Sequence, residues 1–385
     1  MTDTLRLVTR GSDLARRQAA TVRETLESHR REVDIREVET RGDRIPDELI
    51  HRLGKTGAFV RALDEEVIDG DADIAVHSLK DVPTEDADDL VVAAVPERAP
   101  AGDVLLSPDG TDLKDLEPGS VVGTASLRRT AQIKAARPDL EVEPIRGNVD
   151  TRIEKLIAPG LQREHEARVE AEADEKGAAG DDGAGEGGDA DAADGEFAES
   201  VDEWFDGLSE LERSAMGREV ETEYDALVLA EAGLRRSNLY YEVPTQRLPR
   251  GEFVPAAGQG ALAVTAADPD VAETVRRALD HPRSRVAVTT ERTILEELNG
   301  GCIAPIGVSA LVQGEYVKTT VRVLSTDGTE EVAETRDLRI DRHAQEAESF
   351  AADLREDGAA ELVAAAREAA DATGAGTDGG TPDDE

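Results

Sequence analysis

The segment LRLVTRGSDLARRQAATVRETL, residues 5–26, sets the pattern for the first third of the chain. Leu5 to Thr9 has the apolar composition of a strand, and Ser12 is of a residue type that caps helices. After Ser12, apolar residues recur at the spacing of an amphipathic helix: Leu14, Ala15, Ala19, Val22 and Leu26. The alternation continues through a strand, a helix and a strand: Val33 to Val38, Ala58 to Ile68 and Asp73 to His77. This order predicts an α/β domain built on a largely parallel, wound sheet.

A similar passage recurs near the middle of the chain. VGTASLRRTAQ, residues 122–132, shares with VTRGSDLARRQ, residues 8–18, a strand, a small hydroxyl-bearing turn and an Arg-rich helix start. A faint repeat of this kind predicts two similar domains. The free N–H groups and hydroxyls at such helix starts favour the binding of anions.

The order of elements changes after Ala261. A helix, three antiparallel strands and two further helices are predicted there: Ser284 to Leu298, Gly307 to Val312, Tyr316 to Leu324, Glu331 to Arg339, Ala344 to Arg355 and Ala359 to Ala370. This part predicts a small α+β domain, followed by a frayed polar tail at 373–385.

The composition is strongly acidic. The formal net charge is −41, and 7 of the 44 basic residues are Lys. Such a surface repels nucleic acid and anionic lipid, so we expect neither as a partner. Excess carboxylates suit a salt-rich cytoplasm, because the screening length falls to roughly 3 Å at molar ionic strength. With one cysteine, no apolar stretch of membrane-spanning length and no signal-peptide pattern, the expectation is a soluble, cytoplasmic protein from a halophilic source.

The acidity peaks in one segment. Leu161 to Thr222 holds 21 carboxylates against 5 basic residues, a composition that predicts a largely disordered surface insertion. EWFDGLSELERSAMG, residues 203–217, is the part with the pattern of a short helix. The α/β pattern resumes at Tyr224 to Ala230, so the insertion interrupts a domain, and we expect its deletion to spare activity.

Two motifs that resemble nucleotide sites do not fit their templates. Gly258-Gln259-Gly260 with Ala263 matches a loose dinucleotide fingerprint but does not follow a strand, and Gly54-Lys55-Thr56 lacks the glycine that a phosphate loop needs five positions earlier. The six histidines are far apart, so no metal site is predicted. Cys302 lies in the glycine turn NGGCIAPIG, residues 299–307. It is either a buried hydrophobe, a nucleophile or a covalent anchor, and spacing alone leaves these open.

Lys80 and Asp81 follow the predicted strand Asp73 to His77, at the sheet edge where wound domains gather ligands. The alternative is an exposed ion pair of little consequence. Arginines stand at strand ends and beside helix starts elsewhere: Arg10, Arg128, Arg129, Arg146, Arg152, Arg235 and Arg236. In so acidic a chain they predict a pocket for carboxylates, because the guanidinium fork binds them bidentately. The expected substrate is polyanionic.

Eight segments together resemble the porphobilinogen deaminase (hydroxymethylbilane synthase) family in order and approximate spacing. Besides the two repeat passages and residues 299–307 they are GKTGAFVRALDEEV (54–67), DIAVHSLKDVPT (73–84), IRGNVDTRIEKL (145–156), YDALVLAEAGLRR (224–236) and PAAGQGALAV (255–264). The resemblance covers nearly the whole chain except 161–222 and the tail.

The resemblance implies an α/β fold of three domains. Two wound mixed-sheet domains, similar to the halves of type II periplasmic binding proteins, occupy 1–98 plus 261–279 and 101–256, the second interrupted by 161–222. A small α+β domain at 283–372 carries the cofactor, and 373–385 is a disordered tail.

The implied activity is that of a transferase of porphyrin and heme biosynthesis. Four porphobilinogen molecules condense head to tail with loss of ammonia on a dipyrromethane primer, and water then releases hydroxymethylbilane. The resemblance implies that Cys302 holds the primer covalently, that Asp81 and Lys80 are catalytic, and that the enzyme is a monomer whose partners are porphobilinogen and the growing polypyrrole. Cofactor contacts are implied for Lys80, Ser78, Thr124, Ser126, Arg128 and Arg129. Substrate contacts are implied for Arg10, Ser12, Gln18, Arg146, Asn148, Arg152 and Arg236, a lid loop for Lys55 and Phe59, and a hinge position for Gln259.

Two other classes remain as alternatives. Paired wound domains also serve as solute receptors, which have no need of Cys302, and a lone cysteine can be the nucleophile of a hydrolase, which needs a base partner. The mass of the intact protein separates the three, since only the deaminase carries a two-pyrrole adduct.

Overall fold

The computed structural model describes residues 4–28, 31–38, 58–83, 89–178, 197, 199–301 and 304–375. In these ranges the chain forms two five-stranded mixed sheets and one three-stranded antiparallel sheet. The first sheet contains β1 (Leu5–Arg10), β2 (Val33–Val38), β3 (Ile74–Ser78), β4 (Val91–Ala94) and β10 (Leu262–Ala266), in the order β2-β1-β3-β10-β4. β1 pairs in parallel with β2 and β3, whereas β10 runs antiparallel to β3 and β4. Its helices are α1 (Asp13–Ser28), α2 (Ala58–Ile68) and α8 (Pro269–Leu279).

The second sheet repeats this plan. It contains β5 (Asp103–Leu106), β6 (Val121–Gly123), β7 (Glu141–Glu143), β8 (Ala226–Ala230) and β9 (Thr245–Arg247), in the order β7-β6-β8-β5-β9. β6 is parallel to β7 and β8, and β5 is antiparallel to β8 and β9. Its helices are α3 (Leu127–Ala136), α4 (Val149–Ala178), α5 (Val201–Gly207), α6 (Glu210–Met216) and α7 (Glu231–Arg236). The faint sequence repeat therefore corresponds to two sheets of one design.

The last part of the chain is the predicted small α+β unit. β11 (Ile306–Gln313), β12 (Tyr316–Leu324) and β13 (Glu331–Arg339) form the antiparallel meander, with α9 (Pro282–Glu297), α10 (His343–Leu354) and α11 (Ala360–Ala375). Along β12 buried and more exposed residues alternate, as expected of a sheet covered on one face. The fold class predicted from the sequence, two mixed-sheet units and a small α+β unit, is confirmed, while the exact domain boundaries stay a prediction.

One buried carboxylate links the C-terminal unit to the two crossover segments, residues 95–102 and 248–261, which connect the first sheet with the second. Glu291 on α9 forms an ion pair with Arg98, with contacts of 2.7 and 2.9 Å. It also accepts from the backbone N–H groups of Gly258 at 2.8 Å and of Ala310 on β11 at 2.7 Å. A buried charge is tolerated when it is paired and hydrogen-bonded, so these contacts join the crossover segments to the C-terminal unit.

The expectation of disorder in 161–222 is wrong for much of that segment. α4 continues to Ala178, and α5 and α6 follow within the insertion. Trp204 is buried, with its ring 6.0 Å from that of His165 and the guanidinium of Arg168 lying 5.2 Å over it. Residues 179–196 and 198, in the middle of the insertion, and 376–385 of the predicted tail lie outside the described residues.

Candidate functional site

Lys80 and Asp81 lie where the sequence predicts, beyond the carboxyl end of β3. Residues Leu79–Asp81 form a 3-10 turn whose first residue is buried. Lys80 Nζ lies 3.8 Å from Asp81 Oδ1, and both side chains are about half exposed. Gly258 packs against this turn with a φ of +72°. A Cβ at this position would lie 3.4 Å from the backbone nitrogen of Lys80. The positive φ, which L side chains rarely adopt, explains one glycine of the rejected dinucleotide motif.

The second unit presents its arginines at the start of α3. Thr124 is buried directly after β6, and Ser126 caps α3 by accepting from the Arg129 N–H at 3.5 Å. The first turn of the helix then carries Arg128 and Arg129, which are 4% and 7% exposed. Buried arginines require a counter-charge and hydrogen-bond acceptors within the protein. The start of α3 is therefore a packed polar cluster and not a solvent-exposed helix end.

The counter-charge is Asp103, the first residue of β5. Its Oδ2 lies 2.8 Å from Arg128 and its Oδ1 2.8 Å from Arg129. Burial alone would raise the pKa of Asp103, but the charges and hydrogen bonds of the two arginines lower it to about 2. Burial lowers the pKa of Arg128. Sequence reasoning missed Asp103; its signal is a lone carboxylate that opens a wholly apolar strand.

Gln259 links this cluster to the two crossover segments. Its Oε1 accepts from Arg128 at 3.2 Å and from Arg129 at 3.5 Å. Its Nε2 donates to the Ala101 carbonyl at 2.6 Å and to Asp103 at 2.8 Å. The amide therefore connects the arginine pair to the segments between the sheets, and its role as a hinge stays a prediction.

Two further predicted arginines approach the same cluster. Arg152, in the first turn of α4, donates to the Gly147 carbonyl at 2.8 Å, and burial together with the nearby charge of Arg129 lowers its pKa to about 10. Arg236 donates to the Gly260 carbonyl at 2.8 Å, and burial lowers its pKa. Within the described part of the chain neither arginine is paired with a carboxylate. With these two partly buried side chains, the site holds more positive charge than Asp103 neutralises.

The other predicted site residues are more scattered. Arg10 ends β1, Ser12 accepts from the Ala15 N–H at 3.4 Å as the cap of α1, and Gln18 is buried within α1, a helix that contacts α7. Ser78 ends β3, whereas Arg146 and Asn148 lie in the loop before α4. Cys302 and Lys55 lie outside the described residues, and Phe59 is placed only as backbone at the start of α2.

The helix that leads to Cys302 is attached to the Asp81 turn. Arg292 on α9 donates to the carbonyls of Val82 at 2.8 Å and Pro83 at 2.5 Å, immediately beyond Asp81. Asn299, after the helix, has a φ of +50°, so the chain turns there toward the glycines before Cys302.

Two kinds of feature were not found in the described residues. They contain no group of three or more His, Cys, Asp or Glu side chains placed to hold a metal ion. In the same part of the chain, no helix has the length and apolarity needed to cross a membrane.

Comparison with known proteins gives the same family that the motifs resemble. The model of the porphobilinogen deaminase dipyrromethane cofactor binding domain matches residues 5–174 and 212–274, and that of the family's C-terminal domain matches 286–358. The family match thus enters the insertion from both sides and leaves 175–211 outside it, a smaller departure than the one expected from the sequence.

Curated relatives and solved structures were also found. A "Probable porphobilinogen deaminase" of Halobacterium salinarum is 57% identical over 94% of this chain and 98% of its own, in agreement with a halophilic source. The porphobilinogen deaminase of Brevibacillus brevis is 36% identical over 83% of this chain and 84% of its own. Similar solved structures include a YaeC-family lipoprotein from Enterococcus faecalis, with 13% identity, coverage of 77% and 97%, and a TM-score of 0.33. They also include the methionine-binding protein MetQ, with 10% identity, coverage of 71% and 89%, and a TM-score of 0.33. On the two family models and the two curated relatives, the chain belongs to the porphobilinogen deaminase family.

Proposed function

We propose that this chain condenses four porphobilinogen molecules, with loss of ammonia, on a dipyrromethane held through Cys302, and then releases hydroxymethylbilane by hydrolysis. The observation that carries the proposal is the excess of positive charge around Gln259, where two arginines are buried and two are partly buried. Arg128, Arg129, Arg152 and Arg236 gather there with Asp103 as their carboxylate, in a chain whose net charge is −41. Such a site selects a ligand that carries several carboxylates.

The described residues fit a dipyrromethane with carboxylate arms. The buried Nε atoms of Arg128 and Arg129 have no acceptor there, and a buried donor without a partner costs about 1–3 kcal/mol. A cofactor carboxylate would satisfy such a donor. When bound, the dipyrromethane supplies the free ring carbon to which the first substrate unit is joined. Thr124 and Ser126 stand beside the arginines and Ser78 precedes Lys80, so we assign these residues to the cofactor contacts with Lys80.

Asp81 is the proposed proton-transfer group, and Lys80 its catalytic partner. The aminomethyl C–N bond breaks as the nitrogen takes a proton and leaves with the bonding electrons, which leaves a positive charge on the pyrrole. The methylene carbon would then bond to the free ring carbon of the growing chain, and Asp81 would accept the proton that this carbon loses. A carboxylate near the ring N–H groups stabilises this charge and can carry the protons.

The remaining arginines are proposed to hold the substrate and the growing chain. Arg10, Ser12 and Gln18 would act from the first unit, and Arg146, Asn148, Arg152 and Arg236 from the second. We propose that Lys55 and Phe59 belong to a loop that closes over the cleft. The single cysteine supports a cytoplasmic location, and the acidic surface, which repels its own copies, supports a monomer.

The mass of the intact protein tests the covalent proposal. Chains purified from an expressing host should exceed their sequence mass by two linked pyrrole units, and Cys302→Ala should lack the adduct and make no tetrapyrrole. No other thiol can replace Cys302, because it is the single cysteine. Ser309→Ala, on β11 of the same unit, is the control and should carry the adduct. An unmodified thiol in fully active protein would exclude the tethered primer.

A further inference from the structure

Asp103 is held more rigidly than a simple counter-ion requires. Its side chain is fully buried and accepts from Gln259 Nε2 and from Arg129, each at 2.8 Å. Its other oxygen, Oδ2, forms an ion pair of the same length with Arg128. One carboxylate thus spans two guanidinium groups and is itself fixed by an amide.

Each arginine is also held by contacts with groups other than Asp103. Arg128 donates to the Val254 carbonyl at 2.7 Å and to Gln132 Oε1 at 3.0 Å, and Arg129 approaches the Val228 carbonyl at 3.4 Å. These contacts engage terminal nitrogens of the guanidinium groups. The Nε–H groups are the donors for which the described residues provide no acceptor.

The charge of the cluster follows from the same contacts. Two guanidinium groups side by side repel each other, and in a buried site the repulsion is only weakly screened. Asp103 reduces their joint charge from two to one. A pair with one uncompensated charge matches one carboxylate arm of a ligand, and a second arm would then need a different arginine, such as Arg152.

We propose that Asp103 is a positioning residue that sets the orientation and the net charge of Arg128 and Arg129 so that the pair accepts one carboxylate of the dipyrromethane. This inference rests on the proposed function, because it concerns loading of the same cofactor. Asp103 does not touch the cofactor; it acts through the two arginines. Displacement of a binding group by about 1 Å costs on the order of 100-fold, and loss of a partner that orients a ligating group costs on the order of 10- to 100-fold.

Three variants separate positioning from stability. Asp103→Asn removes the charge, Asp103→Glu keeps the charge but lengthens the side chain, and Glu231→Gln is the matched control. Glu231 is also a buried carboxylate of the second unit that accepts from two arginines, Arg235 at 2.7 Å and Arg247 at 2.8 Å, but both lie outside the cluster. Each protein is purified in molar KCl as the folded monomeric fraction. The fraction of chains with the two-pyrrole adduct is then read from the intact mass, and the midpoint of thermal unfolding is measured beside it.

We expect the adduct fraction to fall at least about tenfold in both Asp103 variants and to stay at the wild-type level in Glu231→Gln. Asp103→Glu keeps the counter-charge and should fold even where Asp103→Asn does not, so the comparison survives the loss of one variant. Wild-type loading in Asp103→Glu, or an equal loss of loading in Glu231→Gln, overturns the inference. If the wild-type chain itself carries no adduct, the proposed function fails first, and that result is distinct from the other two.

Discussion

Asp81 and Asp103, the two aspartates of the candidate site, differ in their surroundings, and this difference separates their proposed roles. Asp103 is buried, and its arginine partners lower its pKa to about 2, so it stays ionised throughout the neutral range. Asp81 has a side chain that is 52% exposed and lies 3.8 Å from Lys80. A group that must take and return protons has to be reached by water and substrate. Asp103 is therefore a fixed charge, and Asp81 is the carboxylate to which we assign proton transfer.

We expect Asp81→Asn to lower kcat by at least about 100-fold, because acid–base and electrostatic contributions are lost together. The thermal unfolding midpoint should change little, since an exposed pair contributes about 0–1 kcal/mol. The measurement is the rate of tetrapyrrole formation, normalised to the adduct-bearing fraction. Asp115→Asn is the matched control, because Lys114 and Asp115 form an exposed pair of adjacent residues at 3.7 Å. A near-normal rate in Asp81→Asn would contradict the proposed role.

Part of the site could be predicted from local sequence, and part could not. Lys80, Asp81, Arg128 and Arg129 follow strands or open helices, and such positions are visible in the periodicity of the chain. Asp103 and Glu291 owe their roles to partners far away in sequence, such as Arg98 for Glu291. Periodicity carries no information about such pairs, so the partners of these two carboxylates emerge only from the structure.

The acidic insertion shows the same limit at the scale of elements. Averaged over 62 residues, its composition resembles that of a disordered segment. Two local signals are stronger than this average: Ser200 with Glu203, and Ser209 with Glu212, form capping boxes that start α5 and α6. The Ser-x-x-Glu spacing was visible in the sequence. The burial of Trp204 against α4 was not, because it depends on the tertiary contact.

The contacts of the insertion restrict the segment that we expect can be deleted from 161–222 to 179–196. Arg218, near its end, pairs with the buried Glu154 of α4, and Gln162 donates to the Arg218 carbonyl at 2.8 Å. Removal of 161–222 would leave Glu154 without this partner. We expect replacement of 179–196 by six Gly and Ser residues to leave the unfolding midpoint and kcat unchanged. The linker is long enough, because Val201 donates to Glu172, and Glu172 to Ala178 spans about 9 Å of helix.

Arg218→Ala is the contrasting variant for that excision. It leaves a buried carboxylate unpaired and should lower the free energy of unfolding by about 1–3 kcal/mol, as measured by denaturant unfolding in molar KCl. Equal stability of Arg218→Ala and wild type would show that the insertion does not support α4. A loss of stability in the 179–196 replacement would show that this segment packs on the rest of the molecule.

Across the whole molecule, the positions of the strands could be predicted from the sequence, but the order in which they pair could not. Strand periodicity predicted most strands to within a residue or two, but it could not supply their pairing. β10 enters the first sheet between β3 and β4, with Leu262 opposite Ser78. The segment before β10 therefore passes beside the Asp81 turn. Through the contacts of Gln259 and Glu291, this segment also connects the arginine cluster with the helix before Cys302.

Salt should act on this molecule in two opposite directions. The net charge of −41 destabilises the folded state by self-repulsion, and the screening length falls from roughly 10 Å at 0.1 M to roughly 3 Å at 1 M. The unfolding midpoint should therefore rise with KCl.

Binding of porphobilinogen to the arginines is an attraction between opposite charges, so its KM should rise as well. At a fixed, subsaturating substrate concentration the rate should pass through a maximum as KCl increases. The folded fraction rises first, and the affinity for porphobilinogen falls at higher salt. Titration with sorbitol at equal osmolality is the control and should reproduce neither change. A protein that is fully folded and active without added salt, or a KM that falls as KCl increases, would refute this account of its charge.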